Sequence, residues 1–316
     1  VGNEIRAVIM SMLDVDSQDT ICLVDAESIA IEAAFVAGDG TIICVENDKG
    51  AKDTMEDKVI LVVSFGTSYN NNRSLTIGAI EEDMRGAFSD FDVRRAFTSQ
   101  MVIDILKKRD DLAVDNVDEA LERAVNDGVK TIIIQPTHVM DGTEYNYKIV
   151  SAVEKYADKF ENIAIGEPLL INDSDFEELI DCITSKGSDD EDTANVFMGH
   201  GSPAKSNSVY PTLQGKLEDK GFDNYFIGTV EAKPGFDDVL SMMEGRNFKK
   251  IILKPLMVVA GDHAQNDMAG DEEDSWKNMF IDNGYDVECV VEGLAQSIEI
   301  RNVYIKHVQK VIDSFN

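Results

Sequence analysis

Two imidazoles and one carboxylate follow predicted strands in the second half of the chain: His200, Glu231 and His263. Because parallel strands present their carboxyl ends at one edge of a sheet, these three side chains are expected to converge. Imidazole and carboxylate ligands together suit cobalt, nickel, iron or zinc. A lone histidine near a strand end is more often a hydrogen-bonded structural group. Glycines on both sides of His200 allow close approach of a ligand, which favours a metal site.

An internal duplication gives a second reason to single out these residues. Residues 131–142 and 250–261 share an apolar run, a proline and a glycine in the same order. Corresponding positions in two copies of a domain have the same structural role, so a polar side chain present in only one copy needs another explanation. The alignment of the two copies pairs His200 with Phe65, Glu231 with Phe97 and His263 with Glu144.

The elements that would hold these residues are short apolar runs, which alternate with amphipathic segments from Lys58 onward. This alternation is typical of strands and helices in a mostly parallel sheet. We therefore predict an α/β fold of two Rossmann-like parallel-sheet domains, related by duplication and facing each other across a cleft. Residues 58–187 and 188–316 form the two halves, the acidic run 185–192 connects them, and residues 1–57 form an N-terminal extension of unassigned role.

The composition excludes several classes of partner. The chain of 316 residues has 29 basic and 60 acidic side chains and a net charge of −31. This charge repels nucleic-acid phosphates and anionic lipid surfaces, so we expect neither as a partner. No apolar run approaches the ~20 residues of a membrane span. We expect a cytoplasmic protein, and the first residue, Val1, leaves open a removed signal and an extracytoplasmic location.

The two remaining histidines have less defined places. His307 lies on the polar side of a C-terminal helix whose apolar stripe includes Tyr304 and Val308, so we expect it at the surface. His138 aligns with Met257, and it either lines the cleft or packs behind it. The apolar stripe of the C-terminal helix suits docking within the chain or dimerisation, so a homo-oligomer is one of two alternatives.

The chain contains six distinctive motifs: VVSFGTSY at 62–69, RAFTS at 95–99, GTEY at 142–145, VFMGHG at 196–201, PLMVVAGDHAQNDM at 255–268 and DSWK at 274–277. With these motifs the chain resembles a known family, the anaerobic cobaltochelatases of the cobalamin pathway. The resemblance covers the chain from about Lys58 to its end. It implies a class II chelatase, similar in fold to the ferrochelatases, that inserts Co(II) into sirohydrochlorin without ATP. The metal ligands of the family match His200, Glu231 and His263.

A chelatase needs a loosely held metal and a base near the centre of the macrocycle, because insertion removes two pyrrole N–H protons. Either metal-binding histidine could take one of them. Glu144 would face the cleft as a proton acceptor, or it is a solvated carboxylate at a helix start. Tyr69 would line the face of the macrocycle, or it packs at the cleft edge. Five cations near the predicted rim could meet the substrate's carboxylates: Arg94, Arg95, Lys205, Lys233 and Lys254.

Other functions fit the same residues. Iron or nickel insertion into the same substrate uses the same ligand types. An extracytoplasmic carrier of haem or of another metal tetrapyrrole would need affinity for its cargo but neither a proton acceptor nor an open metal site.

Overall fold

The computed structural model describes Thr20–Val24, Thr41–Val45 and residues 57–315. Two compact units divide the chain, Val1–Met55 and Glu56–Asn316. In the first unit, strands β1 (Thr20–Val24) and β2 (Thr41–Val45) pair in parallel. The rest of the predicted extension 1–57, except Asp57, lies outside the described residues.

The second unit contains two four-stranded sheets whose paired strands are all parallel, with the orders β4-β3-β5-β6 and β8-β7-β9-β10. The strands are β3 (Lys58–Ser64), β4 (Asp92–Phe97), β5 (Thr131–Pro136), β6 (Asn162–Ile165), β7 (Thr193–Gly199), β8 (Tyr225–Thr229), β9 (Lys250–Leu256) and β10 (Asp286–Cys289). Strands β3 and β7 are central in their sheets and almost entirely buried, which explains the apolar runs 59–63 and 196–198 within them.

Helices follow most strands in both halves. The α-helices are α1 (Asn70–Arg73), α2 (Ala79–Ala87), α3 (Gln100–Asp110), α4 (Val117–Asn126), α5 (Ser151–Tyr156), α6 (Asp173–Thr184), α7 (Val209–Asp219), α8 (Phe236–Met243), α9 (Trp276–Asp282) and α10 (Ile298–Ser314). Three π-helices span Ser74–Gly78, Tyr145–Val150 and Ala264–Met268, and short 3₁₀ turns span Ala157–Lys159, Lys205–Ser208 and Leu294–Gln296.

The strand registers confirm the duplication. In the first sheet Val63 of β3 lies opposite Pro136 of β5. In the second sheet Met198 of β7 lies opposite Pro255 of β9, at the same point relative to the strand ends. The two halves therefore share strand order and register, and the predicted pair of parallel α/β units is confirmed.

The last helix, α10, joins the two halves. It follows the second sheet in the chain but packs against α2, α6 and β5 of the first half. Its Tyr304 hydroxyl donates a buried hydrogen bond of 2.9 Å to the carbonyl of Thr137, just after β5. Arg301 forms an ion pair of 2.5 Å with Asp83 in α2. The apolar stripe of this helix therefore serves docking within the chain.

Within the described residues, none of the helices has the length and apolar character needed to cross a membrane.

Candidate active site

A cavity of about 700 Å³ lies between the carboxyl ends of the two sheets. Its lining comes chiefly from the loops that follow β3 and β5 in the first half and β7 and β9 in the second. Open parallel sheets bind ligands at this edge, and the volume is typical of a small-molecule site. Of the predicted site residues, Tyr69, Glu144, His200 and His263 line this cavity.

His200 and His263 are brought together. Their rings meet edge to face, with centroids 4.7 Å apart and planes at 85°. The Nδ1–H of His200 donates to the carbonyl of Gly201 at 2.8 Å, and the Nδ1–H of His263 donates to the carboxylate of Asp267 at 2.6 Å. With Nδ1–H used in these bonds, the lone pair of each imidazole in its neutral form is on Nε2, the nitrogen that can then bind a metal.

The glycines beside His200 are explained by packing within the protein. A Cβ on Gly199 would clash with the ring of Tyr210. Gly201 has a φ of +87°, and a Cβ there would lie 2.8 Å from the Cβ of Ala232. These glycines are therefore required by the turn that places His200 at the cavity, whether or not a ligand approaches.

Glu144 and His263 occupy equivalent positions. Each immediately precedes a π-helix, Tyr145–Val150 in the first half and Ala264–Met268 in the second. The alignment of these two residues is confirmed, and both line the cavity. Single π turns inside helices are frequent at functional sites. The duplication therefore places a carboxylate in one half where the other half has an imidazole.

The predicted pairing of Glu231 with Phe97 is wrong. Strand β4 ends with Phe97 opposite Ser64, and strand β8 ends with Thr229 opposite Gly199. The counterpart of Phe97 is thus Thr229. The sequences of β4 and β8 share no proline or glycine that could anchor their alignment. The alignment made from sequence alone was therefore displaced by two residues.

The true counterpart of Glu231 is Ser99. The backbone N–H of Ser99 donates to the carbonyl of Phe65 at 3.2 Å, and that of Glu231 donates to the carbonyl of His200 at 2.8 Å. The backbones of Glu231 and His200 are therefore held next to each other by a hydrogen bond. The Glu231 side chain is exposed and is not part of the cavity lining. Among the described residues, no three His, Cys, Asp or Glu side chains are grouped closely enough to hold a metal ion.

His138 also lines the cavity, at the position equivalent to Met257. Both of its ring nitrogens are buried, and neither has a hydrogen-bond partner. Burial lowers the pKa of His138 to about 4, because the charged form would lose its hydration.

The prediction that His307 lies at the surface is wrong. The residue is only 4% exposed. Its Nδ1 lies 3.1 Å from the carbonyl oxygen of Glu167, and its Nε2 lies 3.1 Å from the carboxylate of Asp175 in α6. Burial by itself raises the pKa of Asp175. The hydrogen bond and charge of His307, together with two backbone N–H groups, have a larger opposite effect, so the pKa lies below its ordinary value. The polar side of α10 is covered here by the first half.

The predicted rim cations do not line the cavity. Arg95 forms a bidentate pair with the buried Glu81, with both contacts at 2.6 Å. Three others have partners elsewhere: Arg94 with Asp92 and Asp127, Lys233 with Asp238, and Lys254 with the carbonyl of Lys186. Lys205 is exposed in the 3₁₀ turn after β7. The cavity lining within residues 57–315 contains no lysine or arginine.

Sequence reasoning missed an apolar wall of the cavity. Met101, Val102 and Ile105 of α3 line it, and Phe65 joins them from the loop after β3. Met101 is 67% exposed, and Phe65 and Ile105 are also exposed. The sequence did contain a signal for this wall. Helix α3 has apolar residues on two faces, whereas a helix needs only one apolar face to pack against the core.

The chain is similar to known proteins over most of its length. A family described as "Cobalt chelatase (CbiK)" matches residues 58–313. The chain belongs to this cobalt chelatase family. One CbiK relative is the sirohydrochlorin cobaltochelatase of Salmonella typhimurium (strain LT2), 34% identical over 257 residues, which are 81% of this chain and 97% of the relative. Another is the sirohydrochlorin cobaltochelatase CbiKC of Nitratidesulfovibrio vulgaris, 29% identical over 269 residues, 83% and 93% of the two chains.

Two solved structures share the fold of this CbiK-family chain. The sirohydrochlorin chelatase SirB from Bacillus subtilis subspecies spizizenii, in complex with cobalt, aligns with a TM-score of 0.58 over 82% of this chain and 96% of its own. SirB from Bacillus subtilis with Fe³⁺ aligns with a TM-score of 0.56 over 81% and 95%. Both are 14% identical to this chain, so they show the fold alone. The predicted class II chelatase fold is confirmed.

Proposed function

We propose that this protein inserts Co(II) into sirohydrochlorin. Family membership and the two named relatives support this function. The observation that carries the proposal is the pair of imidazoles, His200 and His263, whose Nε2 lone pairs are free at one wall of a largely apolar cavity.

The metal is a substrate in this reaction, so it must be held and then released. Two neutral imidazoles from β7 and β9 supply borderline ligands for Co(II) and leave coordination positions open for ring nitrogens. Asp267 orients His263 through the Nδ1–H hydrogen bond. Glu231 is the proposed third ligand. The backbone N–H of Glu231 is hydrogen-bonded to the carbonyl of His200, so this role requires the Glu231 side chain to change its rotamer and turn toward the imidazoles.

The macrocycle would enter with its apolar core first. A cavity lined without lysine or arginine, within the described residues, gives no charge compensation to the eight carboxylates of the substrate. These groups therefore remain at the mouth, in water. The ring core packs against Met101 and Ile105, and Tyr69 lies at the edge of the same cavity, where an aromatic ring can stack on the macrocycle.

Glu144 is the proposed proton acceptor. It lines the cavity from the first half, at the position equivalent to His263. A carboxylate opposite the metal-binding wall can take a pyrrole proton while the ring nitrogens take the metal. The reaction needs no ATP in this proposal, and the sequence contains no G-x-x-x-x-G-K-[S/T] phosphate loop. The proposal places the protein in the cytoplasm.

The test is the absorbance change of sirohydrochlorin mixed with the purified protein and Co(II), Fe(II) or Ni(II). We expect metal-dependent turnover, fastest with Co(II), that is lost in His200→Ala and His263→Ala. Glu231→Gln and Glu144→Gln should each reduce turnover about 100-fold. The exposed Glu154→Gln on α5 is the matched control and should behave as wild type.

Tight binding of the tetrapyrrole without turnover would refute the enzyme and support a carrier. Faster insertion of Fe(II) or Ni(II) would refute the assignment of cobalt while keeping the chelatase.

A further inference from the structure

His138 has two buried ring nitrogens for which the described part of the chain provides no hydrogen-bond partner. It follows β5, and it lines the cavity together with residues of both halves. Both ring nitrogens are inaccessible to water and lack any hydrogen bond. Buried polar groups in folded proteins are almost always bonded, and each exception calls for an explanation.

The fold itself does not require an imidazole at this place. The duplicated half has Met257 at the equivalent position, which also lines the cavity. The backbone carbonyls of His138 and Met257 accept equivalent hydrogen bonds, from Leu169 N–H at 2.9 Å and from Leu294 N–H at 2.8 Å. An apolar side chain of similar size therefore meets the same structural demand without leaving polar atoms unpaired. The other buried histidine, His307, has partners on both nitrogens.

We propose that, in the chelation reaction proposed above, His138 turns its imidazole into the cavity when substrate binds and accepts a hydrogen bond from a pyrrole N–H of the metal-free macrocycle. Turning the ring breaks no hydrogen bond, because it makes none in the free protein. The free energy of the new hydrogen bond is therefore reduced only by the cost of changing the rotamer, and not by the loss of another hydrogen bond. His138 then contacts the substrate from the first half of the chain, while His200 and His263 belong to the second.

The chemistry of the cavity favours a pyrrole N–H over a peripheral carboxylate as the partner. The lining that His138 shares includes the buried apolar side chains of Met140, Leu256 and Val258 and no lysine or arginine within the described residues. A carboxylate brought among them would lose its hydration and meet no cation. A neutral imidazole supplies one acceptor nitrogen, which suits a ring N–H group.

The test compares two ligands that differ at the ring centre. Metal-free sirohydrochlorin has pyrrole N–H groups, and cobalt sirohydrochlorin has none. For His138→Met we expect the Kd of the metal-free macrocycle to rise about fivefold, the equivalent of about 1 kcal/mol for one hydrogen bond. The Kd of the cobalt macrocycle should change less than twofold. Both values come from fluorescence or absorbance titrations of wild type and variant.

A matched control uses the other buried histidine. His307→Met should lower the midpoint of urea unfolding, because it leaves Asp175 without its partner, and should leave the Kd of both macrocycles as in wild type. His138→Met should unfold at the wild-type urea concentration or higher, since it removes two unpaired buried polar atoms.

Equal weakening of both macrocycles by His138→Met would place the imidazole on a peripheral group and overturn the inference. Unchanged binding of both would also overturn it, as would a loss of stability that accounts for the weaker binding. If wild type binds sirohydrochlorin but does not insert cobalt, the proposed function fails, while the comparison of the two ligands still tests His138.

Discussion

Replacing His138 with methionine is expected to remove part of the acid sensitivity of the free protein. Burial lowers the pKa of the folded His138 to about 4, and the ordinary value in an unfolded chain is 6.5. Between these two pH values the unfolded chain binds a proton that the folded protein does not. The contribution of His138 to the free energy of unfolding is therefore highest above about pH 6.5 and falls as the pH decreases toward 4.

The size of the effect follows from the two pKa values. Their difference, 6.5 − 4, corresponds to about 3 kcal/mol over the whole interval. The part that falls between about pH 7 and about pH 5 is about 2 kcal/mol, because the unfolded histidine is mostly protonated at the lower pH. Met257 shows that methionine fits the equivalent backbone position, so His138→Met is a conservative way to delete the titrating group.

The assay is urea unfolding of wild type and His138→Met at about pH 7 and about pH 5. Carboxylates titrate in both proteins alike, so their contribution cancels in the comparison. Wild type should lose about 2 kcal/mol more than the variant between the two pH values. Losses that agree within about 0.5 kcal/mol would refute the reasoning, because they would show that the folded imidazole takes up its proton as easily as the unfolded one.

Two further predictions concern paired carboxylates, Glu81 outside the cavity and Asp267 beside His263. Glu81→Gln should lower the free energy of unfolding by about 3 kcal/mol, because Glu81 is 3% exposed and pairs with Arg95, whereas the exposed Glu82→Gln should change it by less than about 0.5 kcal/mol. Equal effects in urea unfolding would contradict this. Asp267→Asn should raise the KM for Co(II) about tenfold, because it weakens the orientation of His263, and an unchanged Co(II) dependence would show that Asp267 has no such role.

The fold was predictable from sequence because its main determinants are local. Buried parallel strands such as β3 and β7 contain apolar runs, and the repeated run, proline and glycine at 131–142 and 250–261 revealed the duplication directly. The convergence of His200 and His263 followed from the rule that parallel strands end at one edge of a sheet. These predictions needed no knowledge of which distant residues touch.

The errors arose where distant contacts decide the outcome. The place of Glu231 depended on the register of β8 against β7, and the sequences of β4 and β8 share no proline or glycine to fix it. The burial of His307 depended on α6 of the other half, which covers a side of α10 that periodicity marks as polar. The lack of hydrogen-bond partners for the ring of His138 likewise depends on distant contacts, because it is a property of all the elements packed around that ring.

The position of α10 also has a consequence for how the chain is made. During synthesis the first half leaves the ribosome well before Ile298–Ser314, the helix that covers its α2, α6 and β5. Domains that can complete their core usually fold as they emerge, but this half exposes part of its apolar surface until the second half has also been translated. The nascent chain therefore reaches its native packing only when translation has passed Ser314, and the two halves must mature together.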